Sequence, residues 1–152
     1  MELARPARPE DRQACTRLLS QALVAAESMR GGAALVGDAT TVTLLDDWTQ
    51  PGDGSELMVG EYEGAVVGLL AVTAAPGPRG VTNGLIACCY VETGARGVGV
   101  GTALMDAAVA WCADRGCAGI DALALPGDRT TKQQLEASGF TARLLTLSRR
   151  LD

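Results

Sequence analysis

The segment Gly94-Ala95-Arg96-Gly97-Val98-Gly99-Val100-Gly101 constrains this chain more than any other. It follows an apolar run over residues 81–91, centred on Leu85-Ile86-Ala87-Cys88-Cys89-Tyr90-Val91, which reads as a buried strand. It precedes a second apolar run, from Thr102 to about Arg115, in which only Asp106, Asp114 and Arg115 read as solvent-facing; this predicts a helix buried against a sheet and stopped by Gly116. Glycines at alternate positions before a helix expose main-chain N–H groups at its positive end, an arrangement suited to a pyrophosphate. Arg96 adds a charge and Thr102 a hydroxyl. A nucleoside-triphosphate loop would need Gly-Lys-Ser/Thr at the helix start, and the chain reads Gly101-Thr102-Ala103. A dinucleotide site needs a third glycine where Thr102 stands, and an acidic residue closing the next strand, whereas Asp121 falls inside the strand pattern. A nucleotide-binding domain of another type is therefore the weakest of three readings.

The rest of the pattern is consistent with one domain over residues 1–152. Residues 3–5 open it as a short strand, and Pro9-Glu10-Asp11 starts a helix that fades near Ala26. Residues 27–56 are glycine-rich loop except for a short helix over 41–48. Strands over 57–62 and 65–75 flank the turn at Glu63-Gly64, the second of them apolar enough to be buried on both faces. After the buried helix come a strand over 120–125, a helix over 130–137 and a last strand over about 141–147. The order predicts an α/β fold with a mixed sheet between helices. With 47% hydrophobic and only 3% aromatic residues, the core must be aliphatic. A formal net charge of −5 without a basic run argues against nucleic acid. No histidine and no paired-cysteine spacing occurs, so no metal site is expected; the five cysteines read as free, buried thiols. No apolar run is long enough to span a membrane, and residues 1–9 carry charges and prolines where a leader would be apolar, so a cytoplasmic location is expected.

The glycine segment, from Arg96 to Gly101, resembles the (Arg/Gln)-x-x-Gly-x-(Gly/Ala) coenzyme A signature of the GNAT acetyltransferase superfamily. The likeness continues in order along the chain. Ala4-Arg5-Pro6-Ala7-Arg8-Pro9-Glu10-Asp11 resembles the family's opening strand and helix start, Glu61-Tyr62-Glu63-Gly64-Ala65-Val66-Val67-Gly68 its second hairpin, and Glu136-Ala137-Ser138-Gly139-Phe140 its Glu-x-x-Gly-Phe helix end. The resemblance implies a splayed central sheet, with the strand ending near Val91 parting from the one that starts near Ile120. It implies acetyl-CoA as cosubstrate, with pantetheine against the backbone of Cys89 and Val91, the pyrophosphate on the N–H groups of Val98, Gly99, Gly101 and Thr102, and Arg96, Gly97, Val100 and Asp128 within the same coenzyme site. Direct attack of an amine on the thioester follows, the oxyanion being held by the Val91 N–H. The acceptor is an amine of a small molecule or a peptide.

Three positions depart from the family pattern. Leu135 stands where a tyrosine often protonates the leaving thiolate; Asp128 stands where an asparagine often meets pantetheine; and the residues after Phe140 leave room for one strand rather than two, a shortened C-terminal strand region. The general base and acid are unassigned by the sequence; Glu92, nearest the reaction centre, and Tyr90 on the same strand are the candidate catalytic residues, and Asp46 and Asp47 are candidates for attracting a cationic amine. Leu135 also leaves open a second reading, an acyl-CoA-binding sensor or subunit with little turnover. An apolar last strand at the sheet edge predicts a homodimer.

Overall fold

The computed structural model describes residues 1–52 and 54–151. Strand β1 (Glu2–Pro6) leads through a short 3-10 turn at Pro9–Asp11 into α1 (Arg12–Glu27), α2 (Gly32–Val36) and α3 (Thr41–Trp48). Strands β2 (Ser55–Tyr62), β3 (Ala65–Pro76) and β4 (Thr82–Val91) follow, then α4 (Val100–Asp114), β5 (Gly119–Ala122) and α5 (Arg129–Ala137). The five strands form one sheet in the order β1-β2-β3-β4-β5, antiparallel except for the parallel β4–β5 pair. Two core clusters cover its faces: α1 and α3 place Cys15, Leu18, Leu19, Leu45 and Trp48 on one, and α4 places Val100, Leu104, Met105, Ala108 and Trp111 on the other.

Local chemistry accounts for these elements. Glu63 and Gly64, at φ 52° and 82°, make the two-residue loop between Tyr62 and Ala65, a type I′ geometry whose twist matches the strands it joins. Thr40 caps α3 through its hydroxyl, which accepts from the Thr43 N–H at 3.2 Å. In β3, Leu69, Leu70, Ala71 and Val72 are each fully buried, as a strand covered on both faces requires. Asp11 is the one buried charged residue among those described; Arg5 grips both of its oxygens at 2.8 and 3.1 Å and reaches Glu61 at 3.1 Å. That grip, and the Arg8 N–H, hold the Asp11 carboxyl below its ordinary pKa.

Three sequence expectations need correction. The helix over 41–48 forms, but α2 adds a second helix in the segment read as loop. Helix α4 is less uniformly buried than its composition suggests, since Val109, Ala110 and Ala113 face solvent. No strand forms over 141–147: residues 140–151 carry no regular structure, and Leu144, Leu145 and Leu147 are 77%, 80% and 91% exposed. The sheet therefore ends at β5, where Arg143 ties the tail to the structure through a bidentate pair with Asp121 rather than through a backbone ladder.

Candidate functional site

The site is built on the end of β4 and the start of α4. Strand β5 pairs with β4 only from Asn83↔Gly119 to Ile86↔Ala122, while β4 continues to Val91. The register with β3 slips at the same place: Val72 faces Ile86 and Ala71 faces Cys88, leaving Ala87 as an extra residue. A bulge of this kind bends a strand and raises its twist, and here it lies where β4 leaves its parallel neighbour. Beyond it the outer edge of β4 has no strand partner among the described residues. The Glu92 N–H donates inward to the Val67 carbonyl at 2.9 Å. Antiparallel alternation then turns the main-chain groups of Val91 and Cys89 outward, along the open edge.

The glycine-rich turn follows the end of that strand and leads into α4. Gly97 and Gly99 take φ 86° and 92°, conformations that strain any residue with a Cβ, and Gly99 is the N-cap of α4 with no side chain to fold back on the helix. The first N–H groups of the helix, at Val100, Gly101 and Thr102, are left without intrahelical partners. Val100 itself points inward, 1% exposed, onto Gly60 and Gly68, so only its main chain can meet a ligand. Beside the turn, Gln134 of α5 lies over Gly101, and its buried Nε2 has no hydrogen-bond partner. A Cβ at Gly101 would fall 2.4 Å from that nitrogen.

The other candidates are more committed than the sequence suggested. Arg96 folds back: its Nε donates to the Val91 carbonyl at 2.9 Å and its guanidinium stands 5.6 Å from the Tyr90 ring centre. The Tyr90 hydroxyl donates to Gln21 Oε1 at 3.2 Å, and the Glu92 carboxylate accepts from Arg17 at 2.5 Å. Asp128 caps α5, one oxygen accepting from the Thr131 N–H at 3.1 Å and the other from its hydroxyl at 2.6 Å. Leu135 is 8% exposed and packs in the α4-side core. Asp46 pairs with Arg12 at 2.7 Å, away from Glu92 and beside a cavity of about 460 Å³ lined by Ala7, Arg8, Cys15 and Leu57. Burial pushes the Cys89 thiol up to about 12, which leaves it a poor nucleophile at neutral pH. Arg17, Gln21 and Gln134 carried no sequence signal: the first two act through contacts 75 and 69 residues away, and Gln134 sits in an ordinary amphipathic helix.

The sequence profile described as the Acetyltransferase (GNAT) family matches residues 29–140, and the chain belongs to that family. Acetyl transfer is accordingly its class of reaction. Among solved structures, it is similar to a ribosomal-protein-alanine N-acetyltransferase from Brucella melitensis biovar Abortus 2308, with 17% identity, TM-score 0.72 and full coverage of both chains. Glucosamine-6-phosphate N-acetyltransferase from Arabidopsis thaliana matches with 18% identity and TM-score 0.72 over 100% of this chain and 99% of that one. A transcriptional regulator from Bacillus halodurans C-125 matches with 20% identity and TM-score 0.74 over 99% and 100%. At these identities the likeness is one of fold. No match is found among curated protein sequences.

Members of the family generally use acetyl-CoA. The residues present fit such a group: the orphaned Gln134 amide beside Gly101, the glycines at positive φ, and the open main-chain edge at Cys89 and Val91 offer donors and clearance around the junction of β4 and α4. Among the described residues no group of three or more His, Cys, Asp or Glu could hold a metal ion, and no helix is long and apolar enough to cross a membrane.

Proposed function

We propose that this chain is an acetyl-CoA-dependent N-acetyltransferase acting on a primary amine of a small molecule or peptide. The observation that carries the reading is the open β4 edge followed directly by the glycine turn at the start of α4. Bound acetyl-CoA supplies an activated acetyl thioester. The Val98, Gly99, Val100, Gly101 and Thr102 N–H groups hold its pyrophosphate, with Gln134 Nε2 as a further donor and Gly97 giving the turn its clearance. Cys89 and Val91 bind the pantetheine arm through their main chain, and Arg96 fixes the Val91 carbonyl so that the N–H of Val91 itself stays aimed at the reacting carbonyl. Asp128 acts by capping α5 and so setting the position of Gln134.

An acceptor amine is protonated at neutral pH, and removing its proton costs about 4–5 kcal/mol against a reference pKa near 10.4. Glu92 is the base, accepting that proton on the oxygen Arg17 leaves free or through one water. Tyr90, held by Gln21, orients Arg96 through its ring. Release of free thiol from acetyl-CoA, followed across a panel of amines, tests the reading: amine-dependent release is expected, and Gly101→Glu, which drives a carboxylate into the turn, should abolish it. Unchanged coenzyme affinity in Gly101→Glu by calorimetry would remove the assignment of the turn. A second reading, an acyl-CoA sensor, is favoured by Leu135, which gives the leaving thiolate no proton; tight binding without amine-dependent thiol release would establish it in place of the first.

A further inference from the structure

We propose that Cys112 and Cys117 form a thiol–disulfide couple, a modification site at the far end of α4 from the glycine turn that reacts with low-molecular-weight disulfides. The local backbone builds it. Gly116, at φ 71°, ends α4 in a left-handed cap; the Cys117 N–H donates to the Cys112 carbonyl at 3.1 Å and the Gly116 N–H to the Ala113 carbonyl at 3.0 Å. This six-residue closure brings the first and last side chains against each other, a contact normally filled by an apolar pair. Helix α5 ends in the same way: the Phe140 N–H meets the Leu135 carbonyl at 3.0 Å and the Gly139 N–H meets Glu136 at 3.1 Å, with Leu135 against Phe140 in the core. At the end of α4 the two positions are thiols, with Cys117 packed against the core cluster that holds Cys112.

The cysteine at 112 is held in place. A Cβ at Gly84 would fall 2.3 Å from its Sγ, so the sulfur occupies the space that glycine leaves on β4. In this closure the Cys117 N–H meets the Cys112 carbonyl at 3.1 Å, so the two residues lie side by side, the first requirement of a disulfide. Cys112 is 3% exposed, whereas Cys117 is half-buried and accessible from solvent. Burial and the neighbouring thiol push Cys112 up to about 11, consistent with its acting second. No other described pair is so arranged: Cys88 and Cys89 face opposite cores, and Cys15 lies with Cys88 on the α1 side. The Cys117 thiolate attacks one sulfur of the external disulfide, forming a mixed disulfide and expelling one thiolate. Cys112 then attacks Cys117 Sγ, closing the internal bond; its proton and the second leaving thiolate make a second small thiol. Two protein thiols are oxidised and one external disulfide is reduced to two thiols. Because Cys117 leads directly into β5 through the Ala118 N–H to Thr82 carbonyl bond at 2.9 Å, the new bond fastens α4 to the closed end of the β4–β5 seam.

The test treats the folded, reduced chain with glutathione disulfide and reads intact mass and peptide maps. The expected product has lost two hydrogen atoms, carries a 112–117 link and returns to the starting mass with dithiothreitol. Cys117→Ser should show neither the mass loss nor the link, and Cys112→Ser should stop at one stable glutathione adduct on Cys117. Should Cys112→Ser fail to fold, Cys117→Ser and the wild-type map decide the matter alone. A wild-type chain that stays reduced, keeps a glutathione adduct, or links any other pair overturns the proposal.

Discussion

Gly60 and Gly68 face each other across β2 and β3 directly under the first turn of α4. A Cβ at Gly60 would sit 2.5 Å from Val100 Cγ1, where carbon atoms pack best at about 3.5–4.0 Å. Gly60→Ala therefore demands about 1 Å of separation. Val100 cannot supply it by turning, because a β-branched side chain in a helix has essentially one rotamer. The start of α4 must lift, taking the Val100, Gly101 and Thr102 N–H groups with it. Overpacking of this kind costs about 1–3 kcal/mol of stability. Loss of one charge-assisted hydrogen bond to the pyrophosphate costs about 1.5–3 kcal/mol, which weakens acetyl-CoA by about 10–150-fold. Calorimetry gives the affinity and urea unfolding the stability. Gly68→Ala, whose new carbon would meet Val100 and Leu104 at 3.2 Å, should show a smaller effect of the same kind. Gly64→Ala, with nothing within 4 Å but φ 82°, should strain only its hairpin and leave affinity alone. Adding Val100→Ala to Gly60→Ala removes the clashing methyl and should recover affinity. A Gly60→Ala chain that is destabilised yet binds acetyl-CoA with unchanged affinity would refute the mechanical link between sheet and turn.

Asp11→Asn should cost about 3 kcal/mol, the low end for breaking a buried ion pair because Glu61 still pairs with Arg5; urea unfolding at neutral pH measures it. Since the folded-state pKa of Asp11 is lowered, its contribution is complete above the unfolded value and fades as pH falls through the folded one, so the gap between wild type and Asp11→Asn should close in acid. Leu135→Tyr should raise turnover per folded molecule while coenzyme affinity holds, at about 1–3 kcal/mol of overpacking; lost stability with unaltered turnover would make position 135 purely structural. A homodimer is expected from the exposed Leu144, Leu145 and Leu147 and the unpaired outer edge of β5; sedimentation showing only the 15.6 kDa chain, fully active, would exclude it.

What was legible in the sequence was local. The Glu63-Gly64 hairpin, the capped helix at Thr41–Trp48 and the glycine turn each carry their instructions within a few residues. Helix α2 was missed because five residues between Gly31 and Gly37 give no periodicity and no capping side chain. The tail deceived in the other direction. Leu144, Leu145 and Leu147 look like strand, but an isolated run needs a partner ladder, and Arg143 holds this segment to β5 by its side chain alone. Ion pairs such as Arg17–Glu92 decide how free a candidate base is, and a single sequence does not display them.

The extra residue in β4 also sets a phase. Before it, even-numbered residues face α4: Ile86 lies in that core and Gly84 receives Cys112. After it, odd-numbered residues do, so Cys89 and Val91 face α4 while Cys88 and Tyr90 face α1. Ala87 thus works as a parity shift along one strand, with consequences at both ends. Were Ala87 instead drawn into the regular ladder, Tyr90 would turn into the aliphatic core under α4, Glu92 would leave Arg17, and the main-chain groups of Val91 would point back into the sheet. Deleting Ala87 would remove the bulge yet leave Ile86, Cys89 and Val91 facing α4, because what sets the two faces is that this residue stays out of the ladder.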